Sequence, residues 1–284
     1  MRILFVVKNM RLSNGVASYA MNYYRKLIGS DVQFDFLIIN DVGSPYYSEI
    51  EKNGNKVFFL PSYKKEPFKI FSYLNRLFKD NKYDVVHCNV MNSGSIILRI
   101  AKKYKVPVRI LHSHATQTGD KKWKEFRNKL FCDISLKNAN TYFSCSHLAG
   151  DYLFGKDNYY LIPNAIDIDK YSYNQQKRKN LRNEEKCGEK LVVTTVGRFT
   201  RQKNPMFIVD IVYELSKIGL EFVFWWFGNG ELEREVHKYA REKGVDKFIK
   251  FWGANSRVMD YYSAADVFIL PSLYEGLPVV GIEA

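Results

Sequence analysis

The stretch PSLYEGLPVVGIEA (271–284) follows an apolar run, Val267-Phe268-Ile269-Leu270, that reads as a buried parallel strand. Pro271 and Ser272 end that strand, and Gly276 and Pro278 keep the next residues out of helix or strand. Strand, loop and helix start in that order make one unit of an open α/β sheet, whose ligand crevice lies off the carboxyl ends of the strands. Glu275 would enter such a crevice directly, and Glu283, eight positions on, would come next at the start of a helix. A carboxylate accepts hydrogen bonds and offers no competing donor, which suits the hydroxyls of a sugar or a ribose. The bland alternative is a solvated loop with two surface acids.

Upstream, the same pattern repeats. Leu191 to Gly197 is a β-branched buried strand, and Arg198-Phe199-Thr200-Arg201-Gln202-Lys203-Asn204-Pro205 leads into a helix from Met206 to about Leu215. Arg198 offers a fork that matches phosphate, Lys203 a compact charge, and the coming helix its positive N-terminus, with two ordinary loop cations as the alternative. Glu221 to Phe227 is an aromatic strand ending in Gly228-Asn229-Gly230-Glu231, a glycine pair that permits close backbone approach but lacks the third glycine of the dinucleotide fingerprint. A helix carrying Leu232, Val236 and Tyr239 on one face, a strand from Phe248 to Trp252 and a helix over 256–265 complete this block.

Residues 166–190 are polar, charged and aperiodic, and read as a linker. They set the boundary between a first domain, 1–165, and a second, 166–284. The first domain opens strand, glycine loop, helix: Ile3 to Val7, then Asn14-Gly15, then Val16 to Leu27. Gly15 stands near a helix N-terminus whose free N–H groups suit an anion. Strands at Val32 to Ile39, Lys56 to Leu60, Tyr83 to Asn89, Val106 to His114, Ala139 to Ser144 and Tyr159 to Ile162 alternate with helices, including one from Phe68 to Phe78 and one over 94–104. Alternation of this kind means a parallel sheet.

His112 and His114 lie at i and i+2 on one strand and point the same way. A metal pair would need a third ligand that the spacing does not supply, so their place at a strand end reads as crevice lining, with an imidazole that titrates near neutrality; a satisfied structural histidine is the alternative.

The chain has 284 residues, 46% hydrophobic, with no apolar run approaching the roughly 18 residues of a membrane-spanning helix. Its N-terminus reads as a first strand and not as a signal peptide. Four cysteines, Cys88, Cys132, Cys145 and Cys187, show no metal or disulfide spacing and read as reduced thiols in a cytoplasmic protein. Residues 1–165 hold 25 Lys+Arg against 13 Asp+Glu, a net +12, whereas 166–284 hold 18 against 17. The basic half fits a nucleic acid, an anionic membrane face or a phosphorylated substrate. Lys121, Lys122, Lys124, Arg127 and Lys129, interleaved with Trp123 and Phe126, suit a membrane surface, with a solvated helix face as the alternative.

NGVASYA (14–20), HSHAT (112–116), IPNAID (162–167), VGRFTRQKN (196–204), FGNGELE (227–233) and PSLYEGLPVVGIEA (271–284) together resemble the GT-B nucleotide-sugar glycosyltransferases of family 4, in particular those that assemble bacterial capsular and exopolysaccharides. The resemblance spans the whole chain. It implies an α/β fold of two Rossmann-like, doubly wound parallel-sheet domains facing a cleft. It implies retaining transfer from a nucleotide-diphosphate sugar, UDP-linked by family frequency, to a hydroxyl of a lipid-linked glycan at the inner membrane face. The catalytic set carried over is Glu275, His114, Arg198 and Lys203, with His112 as the less favoured register for the histidine. Gly15, Gly228, Gly230, Gly276, Leu277 and Glu283 join Arg198, Lys203 and Glu275 as donor contacts. Glu275 would touch the sugar and Glu283 the ribose. No metal or other cofactor is expected, because Arg198 and Lys203 would neutralise the departing diphosphate.

The first loop has Asn14-Gly15 where the family has two glycines. The chain also stops one residue past Glu283, where family members continue. A truncated second domain is therefore expected, inactive and poorly stable, with Glu283 on a loose end and Val279, Val280 and Ile282 awaiting cover. Two other functions fit parts of the pattern. A nucleotide-sugar 2-epimerase shares the architecture and the donors, and a non-catalytic nucleic-acid-binding module would explain the charge but none of the strand-end motifs.

Overall fold

A computed structural model describes residues 1–284 except Ser13, Ala115, 117–121, Asp157 and Ser256, and except the side chains of 122–127 and 129. The chain divides into two compact units, Met1–Ala165 and Ile166–Ala284.

Unit 1 is a seven-stranded parallel sheet. Its strands are β1 (Arg2–Val7), β2 (Gln33–Ile38), β3 (Val57–Phe59), β4 (Val85–Cys88), β5 (Val108–Ser113), β6 (Thr141–Ser144) and β7 (Tyr160–Leu161), in the order β3-β2-β1-β4-β5-β6-β7. The connecting helices are α1 (Gly15–Leu27), α2 (Pro45–Lys52), α3 (Lys69–Asp80), α4 (Met91–Lys103), α5 (Lys122–Asn138) and α6 (His147–Phe154). A strand covered on both faces must be apolar at every position, and β1 shows how. Leu4 and Val6 face a core with Leu74 of α3 and Ile97, Leu98 and Ala101 of α4, whereas Phe5 and Val7 face one with Ala17, Tyr19, Met21 and Tyr24 of α1. The order reverses between β1 and β4, and this switch point opens the crevice at their carboxyl ends.

Unit 2 repeats the plan on four parallel strands, β8 (Leu191–Val196), β9 (Phe222–Phe227), β10 (Ile249–Gly253) and β11 (Val267–Phe268), ordered β10-β9-β8-β11. Its helices are α7 (Ile168–Tyr171), α8 (Gln175–Glu184), α9 (Pro205–Lys217), α10 (Glu233–Glu242), α11 (Val258–Ala264) and α12 (Val279–Glu283). The aromatic run of β9 is explained by period two. Phe224 and Trp226 pack on Val209 and Val212 of α9, and Trp225 and Phe227 on Leu181 of α8 and Tyr261 of α11. Each such ring contributes about 1.5–3 kcal/mol of burial.

Two expectations change here. The segment 166–190 is not an open linker, because it contains α7 and α8. Helix α8 has few apolar residues and is held by charge: Arg178 and Arg182 grip Asp266 at 2.5 and 3.1 Å and also donate to the carbonyl of Ala264 at the end of α11. A search for apolar periodicity cannot find a helix docked by guanidinium groups. The run 267–270 is likewise not a fully buried strand. Only Val267–Phe268 pair with β8, at the sheet edge, and Val267 is 41% exposed.

Candidate functional site

In unit 2, the switch point lies between β8 and β11. Off β8, Gly197 gives passage to the stem of Lys203, whose Cγ, Cδ and Cε lie 3.4–3.6 Å from where a Cβ would stand. A 3-10 turn, Arg201–Lys203, and Asn204 in the left-handed region (φ 52°) then reverse the chain into Pro205 of α9. Asparagine is among the few residues that tolerate this conformation. Off β11, the loop 271–278 brings back Glu275, and Lys203 Nζ meets its Oε1 at 2.7 Å, both side chains largely shielded from water. The structure thus joins two residues 72 positions apart that the sequence singled out separately. Arg198 is exposed and has no ion-pair partner among the described residues. Gly276 and Leu277 are half-buried in the same loop as Glu275.

Gln202 carries a connection that sequence reading missed. Its carbonyl accepts from the N–H of Leu273 at 2.8 Å, and its Nε2 donates to the carbonyl of Tyr274 at 3.2 Å and lies 3.4 Å from Glu275 Oε2. It ties the two loops of the site together. Beside it, Thr200 Oγ1 and Ser272 Oγ are buried without a hydrogen-bond partner among the described residues.

Glu283 is not at the start of a helix or on a loose end. Helix α12 begins immediately after Pro278, which places Glu283 at its fifth residue. There Tyr171 of α7 donates to Oε1 at 3.0 Å and Tyr262 of α11 approaches Oε2 at 3.4 Å. Burial raises the Glu283 pKa above the usual carboxylate value, the two tyrosine hydroxyls lowering it by less. Val279 is buried and Val280 half-buried, whereas Ile282 remains 37% exposed.

Gly228 and Gly230 have a reason within the fold. A Cβ on Gly228, which has φ 136°, would lie 2.0 Å from the carbonyl oxygen of Gly197, and one on Gly230 would lie 2.5 Å from that of Phe199. The loop lies flat on the Arg198 loop, with Phe199 N–H donating to the Asn229 carbonyl at 3.1 Å and Leu232 N–H to that of Phe199 at 3.0 Å. The glycine pair therefore shapes the site through backbone contact.

In unit 1, Asn14 caps α1 by accepting from the N–H of Val16 at 3.0 Å, which leaves Gly15 exposed as the first helical residue. His114 lies just past β5. Asn89, just past β4, donates through Nδ2 to the carbonyls of Val6 and His87, so its Oδ1 faces His114 Nε2 at 2.8 Å. An amide oxygen only accepts, so Nε2 carries the proton and Nδ1 is the bare acceptor. His112 stacks on His114 with ring centres 4.0 Å apart, and its Nδ1 meets Nε2 of His87 at 3.0 Å. His87 and Asn89 complete a cluster that only the β4–β5 register reveals.

The expected titration near neutrality does not hold. Burial pushes His87 and His114 down to about 3, His87 with a further contribution from His114, and His112 well below its usual value. All three are neutral at physiological pH, hydrogen-bonding groups and not proton carriers. Among the described residues, no group of three or more His, Cys, Asp or Glu could hold a metal ion. All four cysteines are buried free thiols, and among the described residues no helix is long and apolar enough to cross a membrane. The basic segment Lys121 to Lys129, with Trp123 and Phe126, lies outside the described side chains apart from Asn128.

Comparison with known proteins gives a consistent result. The profile described as Glycosyltransferase Family 4 matches residues 13–170, and that described as Glycosyl transferases group 1 matches residues 176–284. The Bacillus subtilis protein named "Putative glycosyltransferase EpsF" is 33% identical over 100% of this chain and 76% of its own length. The Escherichia coli UDP-Gal:alpha-D-GlcNAc-diphosphoundecaprenol alpha-1,3-galactosyltransferase is 28% identical over 98% of this chain and 75% of its own. Among solved structures, Anabaena Alr3699/HepE in complex with UDP and glucose superposes with a TM-score of 0.81 at 15% identity, covering 100% of this chain and 78% of that one, which shows the fold.

Proposed function

The chain belongs to glycosyltransferase family 4, and on that premise we propose that it is a retaining enzyme moving a sugar from a UDP-linked donor to a hydroxyl of a lipid-linked glycan in surface polysaccharide assembly. The observation that carries this reading is the Lys203–Glu275 pair at the unit 2 switch point, with Arg198 on the loop that bears Lys203. A cation and a carboxylate already in contact match the two ends of the bond to be broken, a diphosphate and a sugar ring. The E. coli relative, named for a UDP-sugar donor and a diphosphoundecaprenol acceptor, supports both substrate classes.

Donor binding would turn Lys203 Nζ from Glu275 toward the diphosphate, and Glu275 would accept from the sugar hydroxyls. As the anomeric C–O bond breaks, its electron pair passes to the phosphate oxygen, where Lys203 and Arg198 hold the growing charge. The acceptor hydroxyl bonds to the anomeric carbon on the same face and gives its proton to the departing diphosphate. Lys203 and Arg198 would do here what a divalent ion does elsewhere, so this route would require no metal. Glu283 would hold the ribose, and the bare Nδ1 of neutral His114 would accept from a sugar hydroxyl. Catalysis would take place on the cytoplasmic face of the membrane that carries the acceptor.

Turnover of a panel of nucleotide sugars with a lipid-linked acceptor tests this. Lys203→Ala and Arg198→Ala are each expected to lower it about a hundredfold or more. Wild-type rates in both variants would overturn the assignment. Donor incubated alone should hydrolyse slowly, and formation of an epimer would assign the site to a 2-epimerase.

A further inference from the structure

Phe68 is 93% exposed, the most exposed large apolar side chain among the described residues, and Phe71, one turn on, is 50% exposed. The buried stripe of α3 is Ile70, Leu74, Leu77 and Phe78. Phe68 precedes the helix and lies outside that stripe, whereas Phe71, three residues before Leu74 and seven before Phe78, lies at its rim with half its surface in water. Phe68 immediately precedes α3 with helical backbone angles (φ −70°, ψ −23°) and makes no capping hydrogen bond. Two exposed aromatic rings three residues apart, not one alone, are the feature that asks for a partner.

The surroundings say which partner. Lys64, Lys65 and Lys82 are exposed, and the side chains of Lys69 and Arg76 are 70% and 85% exposed, with Lys79 further along the outer face. Lys103 adds charge beside that face by donating to Asn75 at 2.7 Å. Glu66 and Asp80, the acids in this segment, are each occupied by an ion pair with Lys69 and Arg76. Two aromatic rings projecting from a field of lysines fit a surface that is apolar inside and negatively charged outside.

We propose that the start of α3, with Phe68 and Phe71 as wedges and Lys64 and Lys65 beside them in sequence, docks unit 1 onto an anionic lipid bilayer. The inference deepens the proposed function, since it rests on the acceptor being lipid-linked. It rests on residues other than Lys121 to Lys129. The rings enter the headgroup boundary while the ammonium groups meet lipid phosphates, so that neither the apolar nor the charged contact suffices alone.

Co-sedimentation with vesicles of phosphatidylcholine and phosphatidylglycerol tests it, with pure phosphatidylcholine vesicles as the neutral arm. The wild-type chain should bind the anionic vesicles, weaken with salt and ignore the neutral ones. Phe68→Ser with Phe71→Ser, and separately Lys64→Glu with Lys65→Glu, should each lower the partition about tenfold or more. Both pairs are exposed, so wild-type melting is expected. Phe68→Trp gives a second readout, fluorescence beyond that of the native tryptophans that brominated acyl chains quench. Undiminished binding by both double variants, or no added quenching in a Phe68→Trp protein that binds, would overturn this docking face while leaving peripheral attachment standing. A wild-type chain that ignores anionic vesicles would overturn both.

Discussion

The two switch-point crevices have the same strand geometry and opposite chemistry. In unit 1, the carboxyl ends of β4, at the β1–β4 switch point, and of its neighbour β5 carry uncharged groups: His87, His112 and His114, neutral by burial, with Asn89 and Tyr19 against them. In unit 2, the carboxyl ends of β8 and β11 lead to charges: Arg198, Lys203, Glu275 and, at α12, Glu283. A parallel sheet supplies the location, and the side chains decide what can be handled there. Uncharged hydrogen-bonding groups suit a hydroxyl acceptor, whereas fixed ions suit a leaving group that gains charge.

The contrast can be broken in several ways. Acid should act on unit 1 first. Because the histidine pKa values are depressed in the folded chain, their stabilisation is complete above the unfolded value near 6.5 and is lost as pH falls toward 3. If all three resist protonation, the slope reaches about 4 kcal/mol per pH unit. Glu283 has the opposite sign, since its raised pKa favours the fold at lower pH. Hydrogen exchange between pH 6.5 and 5 should therefore loosen β4 and β5 while β8 and β9 hold, and equal loosening in both units would break the contrast.

Gly228→Ala comes next. With a backbone oxygen 2.0 Å from the new Cβ, it should cost about 3 kcal/mol in denaturant unfolding even without donor. Unchanged stability would return that glycine to a ligand role. Asn89→Leu removes the acceptor for His114 and two backbone contacts, an expected loss of about 1–3 kcal/mol with slower transfer. A variant that turned over normally would detach His114 from the reaction. The smallest effect is expected of Gln202→Ala, about threefold to tenfold in turnover, with Gln202→Glu failing to restore it because a second carboxylate would face Glu275. No change in either would make Gln202 a bystander.

The fold was legible because both sheets are covered on two faces, which forces near-continuous apolar strands such as Ile3 to Val7 and Leu191 to Val196. The pairing of Lys203 with Glu275 was half legible: each stood at a strand end, but contact between them depends on β8 neighbouring β11, which no local pattern states. Helix α8 escaped because its docking is ionic, and the neutrality of His114 escaped because burial by Tyr19 and the other histidines is a tertiary fact. Gln202 looked like an ordinary turn residue, and only its reach across to Tyr274 distinguishes it.

Whether Lys203 and Glu275 mark a diphosphate-sugar site is tested most directly by calorimetric titration with UDP and with uridine. Wild-type protein should bind UDP well and uridine weakly, and Lys203→Ala should weaken UDP about tenfold or more while leaving uridine unchanged. Equal losses for both ligands, or UDP binding untouched by the substitution, would contradict it.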